Sequence, residues 1–221
     1  MWGFGAKYGG IIRHCFQCGS KTEVDGVRGI IDAYHNTFKS GLVLSGPTDI
    51  SEVLQTAAAF AKSGLEAAQT NGTQKYTILL ILTDGCMSDI QSTARMLDSV
   101  SDAPMSVVIV GIGSADFSSM RFLDDSGKHD VVQFVEFSKH EHDPQSLTSA
   151  TLEEIPHQFT NFFIRNGINP LPPIEIEEED IVIEPEEEDF DLSIDYTDDG
   201  EMIVNNFGGY TKPKGYSDLP Y

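Results

Sequence analysis

Residues Thr77-Ile-Leu-Leu-Ile-Leu82 form an unbroken apolar or β-branched run that stops abruptly at Thr83-Asp84-Gly85. A short apolar run closed by a turn signal predicts a strand buried on both faces, the kind found in parallel sheets covered by helices. Asp84 then falls at the strand's carboxyl end, the edge of an open α/β sheet where ligands bind. A carboxylate at that edge serves as metal ligand, general base or turn residue, and the neighbouring segments decide among these.

Two further runs repeat the signal. Met105-Ser-Val-Val-Ile-Val110 is all but continuous in apolar residues and closes at Gly111-Ile-Gly113, and Asp130 to Phe137 reads as a third strand. Shorter strands are expected over residues 1–6 and His14 to Cys18. Between them, apolar residues recur at helical spacing. One such face is Val24, Val27, Ile31, Tyr34 and Phe38; a second runs from Ile50 to Leu65; a third holds Ile90, Ala94, Leu97 and Val100. A short helix over Asp116–Leu123 and a last one from Leu147 to Phe163 complete the pattern. Asp49 with Glu52, and Ser88 with Gln91, stand at capping-box spacing, and Asp89 and Asp116 suit the caps of the helices after them. Strands alternating with helices imply right-handed crossovers. The predicted fold is α/β, a doubly wound and mainly parallel sheet, with one domain over residues 1–170.

Charge separates that domain from the rest of the chain. The 221 residues carry 14 basic and 35 acidic side chains, net −21. Sixteen acidic and two basic residues lie from Leu171 onward, a net −14, which leaves −7 for residues 1–170. Residues 171–221 are expected to be a disordered acidic tail, because self-repulsion and few large apolar groups oppose a packed core. Its Ile174–Glu177 and Ile181–Glu184 segments alternate weakly, as strands do. Nucleic acid and anionic membrane surfaces are excluded as direct partners, since both would repel the chain. No apolar stretch approaches the roughly 20 residues needed to span a bilayer. The N-terminus lacks the form of a signal peptide, and three cysteines do not make a disulfide framework. A cytoplasmic, reducing setting is expected.

Thr48 stands in the loop Ser45-Gly-Pro-Thr48, just before a predicted helix. In a doubly wound sheet such a loop emerges on the same edge as Asp84. A threonine hydroxyl and a carboxylate brought together there suit a hard divalent cation, Mg²⁺ or Mn²⁺. The alternative is structural: Thr48 caps its helix, and Asp84 turns the chain ahead of Gly85. Other signals are weaker. His14, Cys15, Cys18 and Cys86 lack zinc-ligand spacing. Gly111-Ile-Gly113 is only a fragment of a dinucleotide fingerprint, and no Gly-x-Ser-x-Gly elbow occurs. His140 and His142 flank Glu141 in a loop, where a solvated turn is the simpler account. No nucleophile–base pair is legible, so the chain is expected not to be an enzyme.

The order of these segments carries a resemblance. Gly3-Phe-Gly-Ala6, Ile31-Asp-Ala-Tyr-His35, Gly46-Pro-Thr48, Leu79-Leu-Ile-Leu-Thr-Asp-Gly85, Ser88-Asp-Ile90, Pro104-Met-Ser-Val-Val-Ile-Val-Gly-Ile-Gly113, Ala115-Asp-Phe117, Asp130-Val-Val-Gln-Phe-Val135 and Glu154-Ile-Pro-His-Gln-Phe159 resemble the copine family over residues 2–170. The match is to the copine A domain, a relative of the von Willebrand factor A and integrin inserted domains. It implies a metal-ion-dependent adhesion site in which Thr48 matches the second-loop threonine and Asp84 the third-loop aspartate. Asp89 and Asp49 take second-shell or capping roles. The Asp-x-Ser/Thr-x-Ser motif of the first loop is missing, and the domain is expected to lack its first strand and helix. The loop Asp124–Asp130 is shorter than is usual in the family, and the acidic tail is no part of its pattern. The resemblance further implies a protein-interaction module in calcium-dependent phospholipid signalling, cytoplasmic or peripheral at the plasma membrane. The partner is a protein, engaged through its own acidic residue on the cation or through the tail. Membrane contact is indirect, because the C2 domains that mediate it are not in this chain. The alternative is a metal-free scaffold, or a fragment without function of its own.

Overall fold

A computed structural model describes residues 1–8, 10–85, 87–125, 131–172, 193–196 and 202–205. Its backbone divides into two units, Met1–Pro172 and Pro173–Tyr221.

The first unit opens with four short strands, β1 (Trp2–Gly3), β2 (Ala6–Tyr8), β3 (Ile11–Arg13) and β4 (Phe16–Gln17). Helix α1 (Gly26–Phe38), strand β5 (Val43–Leu44) and helix α2 (Ser51–Thr70) come next. After them stand β6 (Thr77–Thr83), α3 (Ile90–Val100), β7 (Met105–Gly111), α4 (Ser118–Asp125), β8 (Val132–Glu136), α5 (Pro144–Leu152) and α6 (Ile155–Arg165). The parallel part of the architecture is one three-stranded sheet in the order β6-β7-β8. The N-terminal strands pair antiparallel in two small sheets, β1 with β4, and β2 between β3 and β5. The link from β2 to β3 is far shorter than a parallel crossover, which needs a dozen or more residues.

Strand β7 lies at the centre, and all seven of its residues are buried. Alternate side chains enter different clusters, as the period of two requires. Val107 and Ile109 pack with Ile50 and Leu54 at the start of α2, Leu97 of α3 and Met120 of α4. Val108 and Val110 pack instead with Val135 of β8, Ile155 of α6, and the half-buried Leu147 and Ala150 of α5.

The structure departs from three expectations. Strand β6 is not buried on both faces: Ile78, Leu80 and Leu82 are 52%, 53% and 55% exposed. It has a strand neighbour on one side only among the described residues, and the α5/α6 cluster gathers over β7 and β8. Helix α1 buries Ala33 and Thr37 and leaves Val27, Ile30, Tyr34 and Phe38 exposed. Small residues let the Gly19 turn approach closely on that side. A Cβ on Gly19 would lie 3.1 Å from that of Ala33, and the Gly19 N–H donates to Thr37 Oγ1 at 3.0 Å. The helix expected over residues 147–163 is two helices, because Pro156 sits in the first turn of α6 and cannot continue a helix from behind. In the second unit the described residues of the acidic tail form a hairpin, β9 (Ser193–Tyr196) antiparallel to β10 (Met202–Asn205), with Ile194 opposite Val204. Isoleucine, valine and tyrosine favour extended chain, and Asp198-Asp-Gly200 between the strands has turn-forming composition. The acidic runs of residues 174–192, the loop residues 126–130 and Cys86 lie outside the described residues.

Candidate functional site

Asp84 is held at the carboxyl end of β6 by the turn on either side of it. The Thr83 hydroxyl donates to the Gly85 carbonyl at 2.9 Å, and the Thr83 carbonyl accepts the Ile112 N–H at 2.8 Å. The first bond closes the turn and the second ties it to the end of β7. Thr83 is buried while Asp84 is exposed, so the anchor is inside and the carboxylate faces water.

Thr48 reaches the same edge by a route the sequence does not reveal. Its N–H donates to Ser88 Oγ at 2.8 Å, and the Ser88 N–H donates to the Thr48 carbonyl at 2.9 Å. This reciprocal pair latches the loop after β5 to the loop after β6. Spacing alone makes Ser88 a candidate helix cap; its hydroxyl is instead engaged by Thr48, and the residue ahead of α3 that caps it is Asp89. The Asp89 Oδ1 accepts the Ser92 N–H at 2.9 Å. Asp49 does not form the expected capping box with Glu52: Ile50 stands at the N-cap of α2 without a side-chain cap, and Asp49, one residue earlier, accepts the Ser51 N–H at 2.8 Å across a short turn. Hydrogen bonds from the Ser51 hydroxyl and N–H hold the Asp49 carboxyl below its ordinary value, with a smaller lowering contribution from the charge of His14. The structure thus brings Thr48, Asp84 and Ser88 to neighbouring turns at one sheet edge. Asp49 and Asp89 are engaged with helix N–H groups beside them.

The donor chemistry of this edge is short of a complete cation site. Thr48 and Asp84 offer two side-chain oxygens and one charge. Among the described residues, no group of three or more His, Cys, Asp or Glu side chains could hold a metal ion. Mg²⁺ demands an octahedral set and gives up its waters reluctantly, so two protein oxygens hold it weakly.

The remaining candidates have local partners. The Cys15 thiol donates to Thr56 Oγ1 at 3.6 Å, and Cys18 is buried, with burial pushing its thiol up. His140 Nδ1 lies 2.7 Å from Ser146 Oγ, and His142 pairs at 3.2 Å with its neighbour Glu141. Gly111 leaves room for the Phe117 ring, so the first glycine of Gly-Ile-Gly serves packing, while Gly113 takes a positive φ of 92°. No described helix is long and apolar enough to cross a membrane.

A copine family model matches residues 1–171. Copine-B of Dictyostelium discoideum is 40% identical over 182 residues, covering 76% of this chain and 33% of that protein. Copine-C of the same organism is 38% identical over 187 residues, covering 78% and 34%. Protein BONZAI 1 of Arabidopsis thaliana is 37% identical over 188 residues, covering 78% and 32%. The chain therefore spans about a third of the length of these relatives. The match takes in β6 with Asp84, the Thr48–Ser88 latch and the helices that carry them, and on that ground the chain belongs to the copine family.

Proposed function

We propose that this chain is a non-enzymatic protein-interaction module of copine type. Its core is read as a doubly wound, von Willebrand factor A-like layering, and its recognition edge is formed by the turns of Thr48, Asp84 and Ser88. The observation that carries this reading is the family match across the whole first unit. The geometry supports it in one respect: the two loops are joined to each other before any partner arrives, which lowers the ordering cost of binding. The exposed Asp84 carboxylate makes this edge suited to a cationic or hydrogen-bond-donating group on the partner. Setting the chain at the plasma membrane rests on the family alone. In this proposal, calcium-dependent phospholipid binding belongs to segments of longer relatives, and the module acts from the cytoplasm.

A second reading gives Thr48 and Asp84 a weakly held Mg²⁺ or Mn²⁺. The full chain is melted with and without millimolar Mg²⁺, beside Asp84→Ala. A ligand that binds the folded state alone raises the midpoint. If the cation reading holds, the parent shifts upward and Asp84→Ala does not. Equal shifts place the cation on other carboxylates and leave direct recognition. Loss of partner capture in Asp84→Ala, with an unchanged midpoint, supports the edge as the binding surface; unchanged capture sinks it.

A further inference from the structure

We propose that Asn71, at the carboxyl end of α2, is a site of spontaneous deamidation to an isoaspartyl residue, and that the matching asparagine of α6, Asn166, is protected from it. The chain holds two Asn-Gly pairs, Asn71-Gly72 and Asn166-Gly167. Each closes a helix in the same way. Asn71 and Asn166 are the C-caps of α2 and α6, with φ/ψ of −92°/7° and −89°/3°, and the glycines after them take positive φ of 71° and 65°. The Gly72 N–H donates to the Gln69 carbonyl at 3.1 Å, and the Thr73 N–H to the Ala68 carbonyl at 2.8 Å. The Gly167 N–H donates to the Ile164 carbonyl at 3.0 Å, and the Ile168 N–H to the Phe163 carbonyl at 2.9 Å. Both are the two-bond glycine cap that commonly ends a helix. The backbone does not distinguish the two sites; the side chains do.

The Asn166 side-chain amide donates to the Phe162 carbonyl at 2.8 Å. Ile168, just beyond, packs with Leu65, Phe162 and Phe163, the apolar contact that accompanies such a cap. Asn71 is exposed, and its side chain has no hydrogen-bond partner among the described residues. The position matching Ile168 is Thr73, which adds only a hydroxyl bond to the Ala68 carbonyl at 3.1 Å. In the reaction the Gly72 nitrogen gives its proton to water and attacks the side-chain carbonyl carbon of Asn71. The new N–C bond closes a five-membered imide ring, the bond from that carbon to the amide nitrogen breaks, and ammonia leaves with a proton from solvent. Water then opens the ring at either carbonyl, giving an isoaspartyl or an aspartyl residue. Glycine permits the attack because it sets no Cβ beside the nitrogen. A nitrogen whose N–H is bonded within the cap cannot attack, so the rate follows the fraction of time each cap is open. The amide bond and the apolar contact that only the α6 cap has make its opening rarer, by about tenfold. The reaction is intramolecular and needs no partner beyond water. Its product alters the fold locally: a carboxylate at the end of α2 opposes the helix dipole. The isoaspartyl form also inserts a methylene into the main chain and carries the Gly72 and Thr73 N–H groups away from their acceptors.

The test incubates the full chain in mildly alkaline buffer and follows both asparagines by peptide mass spectrometry. Methyl transfer from S-adenosylmethionine by an isoaspartyl methyltransferase reads the isoaspartyl product. In the folded chain Asn71 is expected to convert about ten times faster than Asn166. In urea, where neither cap exists, the two should convert at nearly the same rate. Ile168→Ala, with circular dichroism unchanged, should speed conversion of Asn166 and leave that of Asn71 as it was. Asn71→Gln, whose longer side chain closes the ring far more slowly, should abolish methyl acceptance by the folded chain. Equal rates in the folded chain overturn the proposal, as does a faster Asn166 or a ratio that is the same folded and in urea. An Asn71 that stays intact in the folded chain while it converts in urea also overturns it. So does methyl acceptance that persists in Asn71→Gln, which would place the isoaspartyl residue at an Asp-Gly pair such as Asp25-Gly26.

Discussion

Gly111 ends β7 directly beneath the Phe117 ring, and its replacement by alanine gives a quantitative test of the core. A Cβ at that position would lie 2.9, 3.0 and 3.1 Å from three ring carbons. Carbon–carbon contacts are most favourable at about 3.5–4.0 Å, so the ring or the strand must give by several tenths of an ångström. The ring has little freedom to do so: Phe117 is 3% exposed, and its centroid lies 5.8 Å from that of Phe134. Overpacking of this kind costs about 1–3 kcal/mol. Replacing glycine also removes unfolded-state entropy, which returns about 0.4–1 kcal/mol. The net expectation is a loss of about 0.5–2 kcal/mol. At about 2–4 °C per kcal/mol for a unit of this size, the melting midpoint falls by about 1–8 °C. The assay is thermal and urea unfolding of Gly111→Ala, Phe117→Leu and the double variant. The smaller leucine should accommodate the new methyl, making the double variant more stable than additivity predicts by about 1 kcal/mol. Strict additivity, or a Gly111→Ala chain as stable as the parent, would refute the reasoning.

Other substitutions probe other parts of the fold. Leu54→Ala removes a fully buried side chain from the cluster between α2 and β7 and should cost about 2–5 kcal/mol in urea unfolding. Val27→Ala, on the exposed stripe of α1, should stay within about 0.5 kcal/mol of the parent by the same measurement. Asp49→Ala should lower stability by about 1 kcal/mol near neutral pH through loss of its bonds to Ser51. Because the folded carboxyl is held below its ordinary value, the folded state binds a proton less readily than the unfolded one. The difference between parent and variant should therefore be full above pH of about 4 and vanish as pH falls through the depressed folded value, as read by melts across pH.

The three strands of the parallel sheet were legible because each is a dense apolar run, yet density could not say which of them is an edge. Met105–Val110 and Thr77–Leu82 look alike in sequence. One is buried along its whole length, and the other shows every second residue to solvent. That difference lies in the number of neighbours, which is a property of the assembled sheet. Helical spacing located α1 but chose the wrong face, because the close approach of Gly19 to Ala33 outweighs the larger stripe. Pro156 was visible as a breaker, and the apolar periodicity running through it concealed the break. At the candidate site, Thr48 and Asp84 were singled out by type and loop position. Ser88, which joins their loops, was not, since a serine ahead of a helix resembles a cap and its partner stands 40 residues away.

The bonds between Thr48 and Ser88 have a consequence for how this edge can move. Two hydrogen bonds run in opposite directions between the same two residues, so neither loop slides past the other without breaking both. The loops therefore share one set of conformations rather than holding two independent ones. A ligand that grips either loop confines its neighbour as well, and the two turns behave toward it as one recognition element.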